Sequence, residues 1–198
     1  MKVIGITGGV GAGKTQILNY LEEKYQARIL MADQVAHIVK EKGQSCYEPL
    51  VRLLGRSVLD EKDQIDKGKM AAMIFSDQKL LLQVNHVIHP EVKKYILGQI
   101  EQERKKGRTK FFFLEAALLI EEHYDEICDE LWYIYAEDSI RISRLMESRG
   151  YSRERTLQIM KGQLLEEEFR KGCQFVIDNS GKLEEALEQI DRKLGEYL

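Results

Sequence analysis

The sequence predicts an α/β fold, a mainly parallel five-stranded sheet covered by helices on both faces, with a helical insert over its carboxyl edge. Three observations carry this expectation. Short apolar runs alternate with helical patterns, a glycine-rich turn joins the first run to the first helix, and a long strandless interval follows the second run. Strands that alternate with helices pair in parallel through right-handed crossovers.

The strands are expected at Lys2 to Thr7, Ala27 to Met31, Lys110 to Glu115, Leu131 to Ala136 and Gln174 to Ile177. Each run is continuously apolar, β-branched or aromatic, as suits strands buried on both faces. After the glycine turn, Ile17, Leu18 and Leu21 share one face of a helix starting near Gly13. Residues 34 to 109 read as helical, with one turn-like patch from Leu59 to Asp66, and hold both prolines, Pro49 and Pro90. A simple crossover needs far fewer residues, so this interval is expected to form a separate helical lobe. In the last segment Leu183, Ala186, Leu187, Ile190 and Leu194 keep helical spacing behind Asn179-Ser180-Gly181, a helix start signal. The expected organisation is one domain over residues 1–198, with a core of 1–33 and 110–198 and a lobe of about 34–109.

Bulk properties narrow the function classes. Of 198 residues, 43% are hydrophobic, enough for a sizeable core, and 32% are charged, as on a solvated surface. A net charge of −3 gives no general attraction to nucleic acid or anionic membrane. The densest apolar stretch, Phe111 to Ile120, is interrupted by Glu115 and is too short to span a bilayer. Met1 leads almost directly into an apolar strand, with no room for a signal peptide. Cys46, Cys128 and Cys173 are widely spaced and form no metal-ligand pair, so reduced thiols and a cytoplasmic location are expected. Composition leaves the oligomeric state open.

The chemistry begins at Gly8-Gly9-Val10-Gly11-Ala12-Gly13-Lys14-Thr15, which fits G-x-x-x-x-G-K-[ST] at every fixed position. Glycines let backbone N–H groups converge on phosphate oxygens, and the helix N-terminus adds its dipole. Lys14 would reach the β- and γ-phosphates of ATP, and the Thr15 hydroxyl would ligate Mg²⁺. The motif places the chain in the P-loop NTPase class of three-layer α/β folds. No N-K-x-D run marks a guanine-specific switch, and a small domain with a helical insert favours phosphoryl transfer to a small acceptor.

Two further features suit such transfer. Asp33 is expected where the second strand ends, on the ligand side of a doubly wound sheet. A carboxylate there can orient an attacking hydroxyl or help hold the metal, or else cap a helix starting at Gln34. Arg141, Arg144, Arg149, Arg153 and Arg155 follow the fourth strand in a segment broken by Gly150. They read as a closing lid over about 141–163, with Arg141 and Arg144 three apart on one face, or as a solvated helix with scattered charges. The runs Glu166-Glu167-Glu168 and Arg104-Lys105-Lys106-Gly107-Arg108 read as solvated surface.

Taken together, the chain resembles the dephospho-CoA kinase family over nearly its whole length. Ile6 to Thr15 looks like that family's opening, and Ala32-Asp33 with Val35-Ala36-His37 looks like its D-A-D-x-x-A-[RH] segment. Ile65-Asp66-Lys67, Ile74-Phe75-Ser76-Asp77 and Ile88-His89-Pro90 resemble its middle lobe; Gln163, Arg170 and Val176 to Gly181 resemble its closing stretch. The family transfers the γ-phosphate of ATP to the 3′-hydroxyl of dephospho-CoA, the last step of coenzyme A synthesis. The resemblance implies that Gly11 to Gln16 hold the ATP phosphates, that Asp33 orients the hydroxyl, and that lid arginines, Arg144 foremost, neutralise charge. It also implies that Asn179 to Gly181 lie beside the adenine and that His89 belongs to the acceptor lobe. A structural turn at His89-Pro90 and a plain helix cap at Asn179 and Ser180 remain alternatives.

Departures from the family pattern are local. Met31 replaces the first Asp of D-A-D, Glu115 to Glu121 stand for D-x-P-L-L-x-E without its proline, Ala71 replaces an arginine, and Ser148 stands where another arginine is common. Two rival readings are a P-loop kinase of a nucleoside or nucleotide and a non-catalytic nucleotide switch.

Overall fold

The computed structural model of the chain describes residues 1–198, which fold as two compact units, 1–29 with 107–198, and 30–106. The first unit is built on strands β1 (Lys2–Thr7), β3 (Phe111–Glu115), β4 (Glu130–Tyr135) and β5 (Phe175–Asp178). Strand β2 (Arg28–Met31) runs across the division between the units and completes a five-stranded sheet in the order β2-β3-β1-β4-β5. β1 pairs in parallel with β3 and β4, and β4 with β5. The strand ends fall within one or two residues of the runs read in the sequence.

Why these runs are strands follows from their burial. Alternate residues Ile4 and Ile6, Phe111 and Phe113, Trp132 and Ile134 pack with Ile17, Leu18 and Leu21 of α1 (Lys14–Tyr25) and Ala186, Ile190 and Leu194 of α9 (Leu183–Gly195). Phe112, Leu114, Leu131 and Tyr133, which alternate with them, are buried too. A parallel strand covered on both faces therefore shows no polar alternation, which is why Phe111–Glu115 reads as an unbroken apolar run. Between β4 and β5 lie α6 (Asp138–Arg149), α7 (Arg153–Lys161) and α8 (Glu166–Gly172). Gly150, in the left-handed region at φ 63°, ends α6.

The second unit is helical, with α2 (Ala32–Ile38), α3 (Tyr47–Leu54), α4 (Lys67–Phe75) and α5 (Gln78–Lys106). The turn-like patch is a tight reversal in which Leu59 bridges Ile65 and Asp60 Oδ1 accepts from the N–H groups of Lys62 and Gln64, both at 2.8 Å. Asp66 closes it by accepting from Lys69 N–H at 2.7 Å, a side-chain cap for α4.

Three local expectations are corrected. Asp33 neither ends a strand nor caps a helix from Gln34. Met31 is extended and α2 starts at Ala32, so Asp33 lies in the first helical turn. His89-Pro90 is not a turn, because both residues lie inside the 29-residue α5. Pro90 leaves only the His86 carbonyl without its helical donor, and the buried stripe Val84, Ile88, Val92, Ile96 and Ile100 holds the helix through it. Asn179 and Ser180 do not cap the last helix, since α9 begins after Lys182. No helix is long and apolar enough to cross a membrane.

Candidate active site

In the first unit, the glycine loop leaves the carboxyl end of β1 and turns into α1. Gly13 forms the junction at φ 89°, a left-handed conformation that side chains rarely adopt. A Cβ at Gly13 would also overlap the Asn179 amide, whose Nδ2 donates to the Ala12 carbonyl at 2.7 Å. Asn179 is buried at the end of β5, and its backbone N–H donates to Tyr135 O at 2.8 Å. Its Oδ1 is buried with no donor. Asn179 is therefore a strut under the loop rather than a helix cap. Ser180 Oγ accepts from Glu137 N–H at 3.0 Å, and Gly181 lies exposed between β5 and α9.

The other side of the loop is clamped by the helices after β4. Arg141 Nε donates to Val10 O at 2.9 Å, Nη1 to Asp138 Oδ1 at 3.1 Å, and Nη2 to Gln163 Oε1 at 2.8 Å. The same Gln163 oxygen accepts from Val10 N–H at 3.1 Å. The guanidinium lies so close above Gly9 that a Cβ there would collide with it. One turn on, Arg144 Nη1 is buried without any acceptor, 3.6 Å from the Cβ position of Gly13. The two arginines share the helix face that their spacing implied, yet they differ: each nitrogen of Arg141 donates to a protein acceptor, and Arg144 holds an unsatisfied buried donor. That is costly unless an acceptor arrives. Arg149, Arg153 and Arg155 lie away from the loop on exposed positions, with Arg155 stacked over Tyr151 at 4.3 Å.

Lys14 folds back on its own loop. Its Nζ donates to Gly8 O at 2.7 Å and lies 3.9 Å from Glu115 Oε1. Glu115 is 6% exposed, at the carboxyl end of β3, in register with Ile6. Its side chain brings a carboxylate to the loop, at the position where the family pattern has the Asp of D-x-P-L-L-x-E. Its signal was a lone acid ending an apolar strand. Gln163, noted in the sequence only through the resemblance of the closing stretch, had no comparable local signal, since its partner Val10 lies 153 residues away and Arg141 22. Within the loop, Ala12 N–H donates to Gly9 O and Gln16 N–H to Gly13 O, while the Gln16 side chain stays at the surface.

Among the described residues no group of three or more His, Cys, Asp or Glu side chains could hold a metal by itself. The donors at the loop, the exposed Thr15 hydroxyl and the Glu115 carboxylate, fit a Mg²⁺ ion that takes its remaining ligands from phosphates and water.

In the second unit, Asp33 is exposed near the start of α2 and His37 follows one turn later on the same face. Burial lowers the His37 pKa, helped by the charges of Lys40 and Lys67 and opposed by that of Asp33. Burial, with Lys67 behind it, also lowers the Lys40 pKa. His89 is half-buried on α5.

The chain is similar to known proteins over nearly its whole length. A family model described as dephospho-CoA kinase matches residues 2–185. A dephospho-CoA kinase of Carboxydothermus hydrogenoformans is 34% identical over 190 residues, which cover 96% of this chain and 91% of the relative. One from Streptococcus mutans is 32% identical, covering 98% of this chain and 96% of the relative. The crystal structure of TT1252 from Thermus thermophilus superposes with a TM-score of 0.83 at 28% identity, covering 100% of this chain and 98% of the other.

Proposed function

The chain belongs to the dephospho-CoA kinase family, and from that premise we propose that Lys14, Arg144 and Asp33 carry the transfer of the γ-phosphoryl group of ATP to the 3′-hydroxyl of dephospho-CoA. The observation that carries the assignment of roles is the orphaned Arg144 Nη1 at the mouth of a fully braced phosphate loop. It is a buried donor waiting for an acceptor where phosphate oxygens would sit.

The loop amides and Lys14 hold the ATP phosphates, Lys14 exchanging the Gly8 carbonyl for phosphate oxygen. Arg144 meets the charge on the phosphoryl oxygens as the bond to the leaving group lengthens. Gly8 to Gln16 and Arg141 contribute to ATP binding, Arg141 through the loop it braces. Asn179 Oδ1 and the Gly181 backbone take the adenine side. Thr15, with Glu115, would hold Mg²⁺, which supplies charge neutralisation across the β- and γ-phosphates. Asp33 orients the acceptor hydroxyl and takes its proton, and His89 belongs to the acceptor side. The helical segment of about residues 141–163 acts as the lid. Catalysis is then positioning and electrostatics.

The test is an acceptor panel. Purified protein with Mg²⁺-ATP is expected to release ADP with dephospho-CoA and to give coenzyme A. ADP release with nucleosides or nucleoside monophosphates but none with dephospho-CoA would overturn the reading.

A further inference from the structure

Beyond the residues placed so far, the helical unit holds a cationic pocket of 170 Å³. Its walls include His37 in the last turn of α2, Lys40 and Glu41 in the turn just beyond, Gln64 from the tight reversal, and Lys67 and Met70 from α4. The volume is below that of a pocket for a whole drug-sized ligand and suits one compact group. The reversal is rigidly tied by Asp60 and Asp66, which fixes Gln64 and Lys67 at the rim. Gln64 Oε1 accepts from Lys42 N–H at 3.2 Å, leaving its NH₂ group as a donor.

We propose that this pocket is the anion subsite of the acceptor, taking the diphosphate that joins the ribose to the rest of dephospho-CoA while Asp33 meets the 3′-hydroxyl. The proposal rests on the acceptor assigned above and adds which residues grip it.

Three features support it. First, the two lysines converge without an ion pair between either ammonium and a carboxylate, so they repel each other across the pocket. Glu41 is the one carboxylate on the wall, and it leaves the group Lys40, Lys67, His37 and Glu41 with a positive excess. A bridging diphosphate carries one charge on each phosphate and would neutralise both ammoniums, with lysine acting as a point charge. Second, electrostatics already show the strain, since Lys67 helps to lower the pKa of both Lys40 and His37, after burial. Third, the spacing along α2 is right. Asp33 and His37 are four residues apart, about 6 Å along the axis. The 3′-hydroxyl and the 5′-diphosphate leave one ribose ring from positions a similar distance apart, so one helix face can address both.

Two measurements test the subsite. Lys40→Gln and Lys67→Gln are each expected to raise KM for dephospho-CoA about tenfold, with KM for ATP and kcat within about twofold. Lys40→Arg and Lys67→Arg should recover most of the loss, which separates charge from fold. Inorganic pyrophosphate titrated into protein already saturated with Mg²⁺-ADP is expected to shift the His37 imidazole resonance, identified with His37→Gln, and to do so far less in the Lys40→Gln protein. Unchanged KM in both glutamine variants, or no His37 shift with millimolar pyrophosphate, would overturn the subsite while leaving kinase activity intact. A clear His37 shift in a protein that does not phosphorylate dephospho-CoA would instead overturn the acceptor and keep the anion pocket.

Discussion

The phosphate loop of the first unit and the α2–α4 pocket of the second solve the same problem, holding phosphate, by opposite means. The loop is braced before any ligand arrives. Gln163 and Arg141 hold Val10, Asn179 holds Ala12, and Lys14 lies on the Gly8 carbonyl. The pocket is left electrostatically open, its lysines facing each other with no carboxylate in ion-pair contact and only the charges of Glu41 on the wall and Asp33 nearby to offset them. Backbone cradles are preorganised and fit any nucleotide triphosphate. Side-chain pockets are tuned to one acceptor and are stabilised by it. The lesson is that affinity for ATP should depend on bracing, and selectivity for the acceptor on charge.

Removing one group from each region produces the largest expected effects. Lys14→Ala should lower kcat/KM by about a thousandfold or more, because the transferring phosphates lose their main side-chain cation. Asp33→Asn should lower kcat by about a hundredfold to ten-thousandfold, since the amide cannot take the hydroxyl proton. The division of labour shows in binding: calorimetric titration should find ATP affinity of the Asp33→Asn protein within about twofold of the parent. Equal loss of ATP affinity in both variants would end the distinction between the two regions.

A smaller effect isolates bracing. Gln163→Ala removes the shared acceptor of Val10 N–H and Arg141 Nη2, leaving both donors to find water. KM for ATP is expected to rise about five- to tenfold with kcat nearly unchanged, the signature of a positioning residue. Gln163→Glu keeps an oxygen acceptor at that place and should restore KM. If Gln163→Ala left KM for ATP unchanged, the loop would hold its shape without the clamp.

The two regions also differ in how far the sequence disclosed them. The loop was legible because its chemistry is backbone geometry, and backbone geometry needs glycine at fixed spacings. The strands were legible because burial on both faces of a parallel sheet writes continuous apolar runs, as at Phe111–Glu115. Helix starts were less legible. Asn179 has the composition of a cap yet is spent under the loop, and Ala32, with no capping side chain before it, opens α2. Gln163 and Lys40 were the least legible, since each acquires its role from residues far away in the chain or across a tertiary turn. A single residue type in a polar segment carries no period and no spacing for such a role.

The smallest expected effect separates the units by their response to acid. In the first unit Glu130 is partly buried, which by itself raises its pKa, but hydrogen bonds from Trp132 Nε1 at 2.8 Å and the Tyr197 hydroxyl at 2.6 Å, with Lys193 and Lys2 nearby, bring it below the ordinary 4.5. Asp191 is likewise held below 3.8, with burial outweighed by hydrogen bonds from Lys24, Tyr20 and Tyr25. A carboxylate with a depressed folded pKa contributes stability that is complete above its unfolded pKa and is lost as pH falls through the folded one. The first unit should therefore hold until below about pH 4.5, and losing both sets of contacts should then lower its melting temperature by about 4–8 °C, as solvent screening limits each carboxylate to about 1 kcal/mol. His37 works in a higher window. Its folded pKa lies below the ordinary 6.5, so the unfolded chain takes up the proton first and stability of the second unit declines as pH falls through 6.5. Fluorescence of Trp132, the single tryptophan and fully buried in the first unit, follows one event. Resonances of Tyr47 and His37 follow the other. Loss of the second unit's signals at higher pH than the Trp132 signal is the expected order, and pyrophosphate should delay the former alone; simultaneous loss at every pH would show that the charged pocket adds no acid sensitivity of its own.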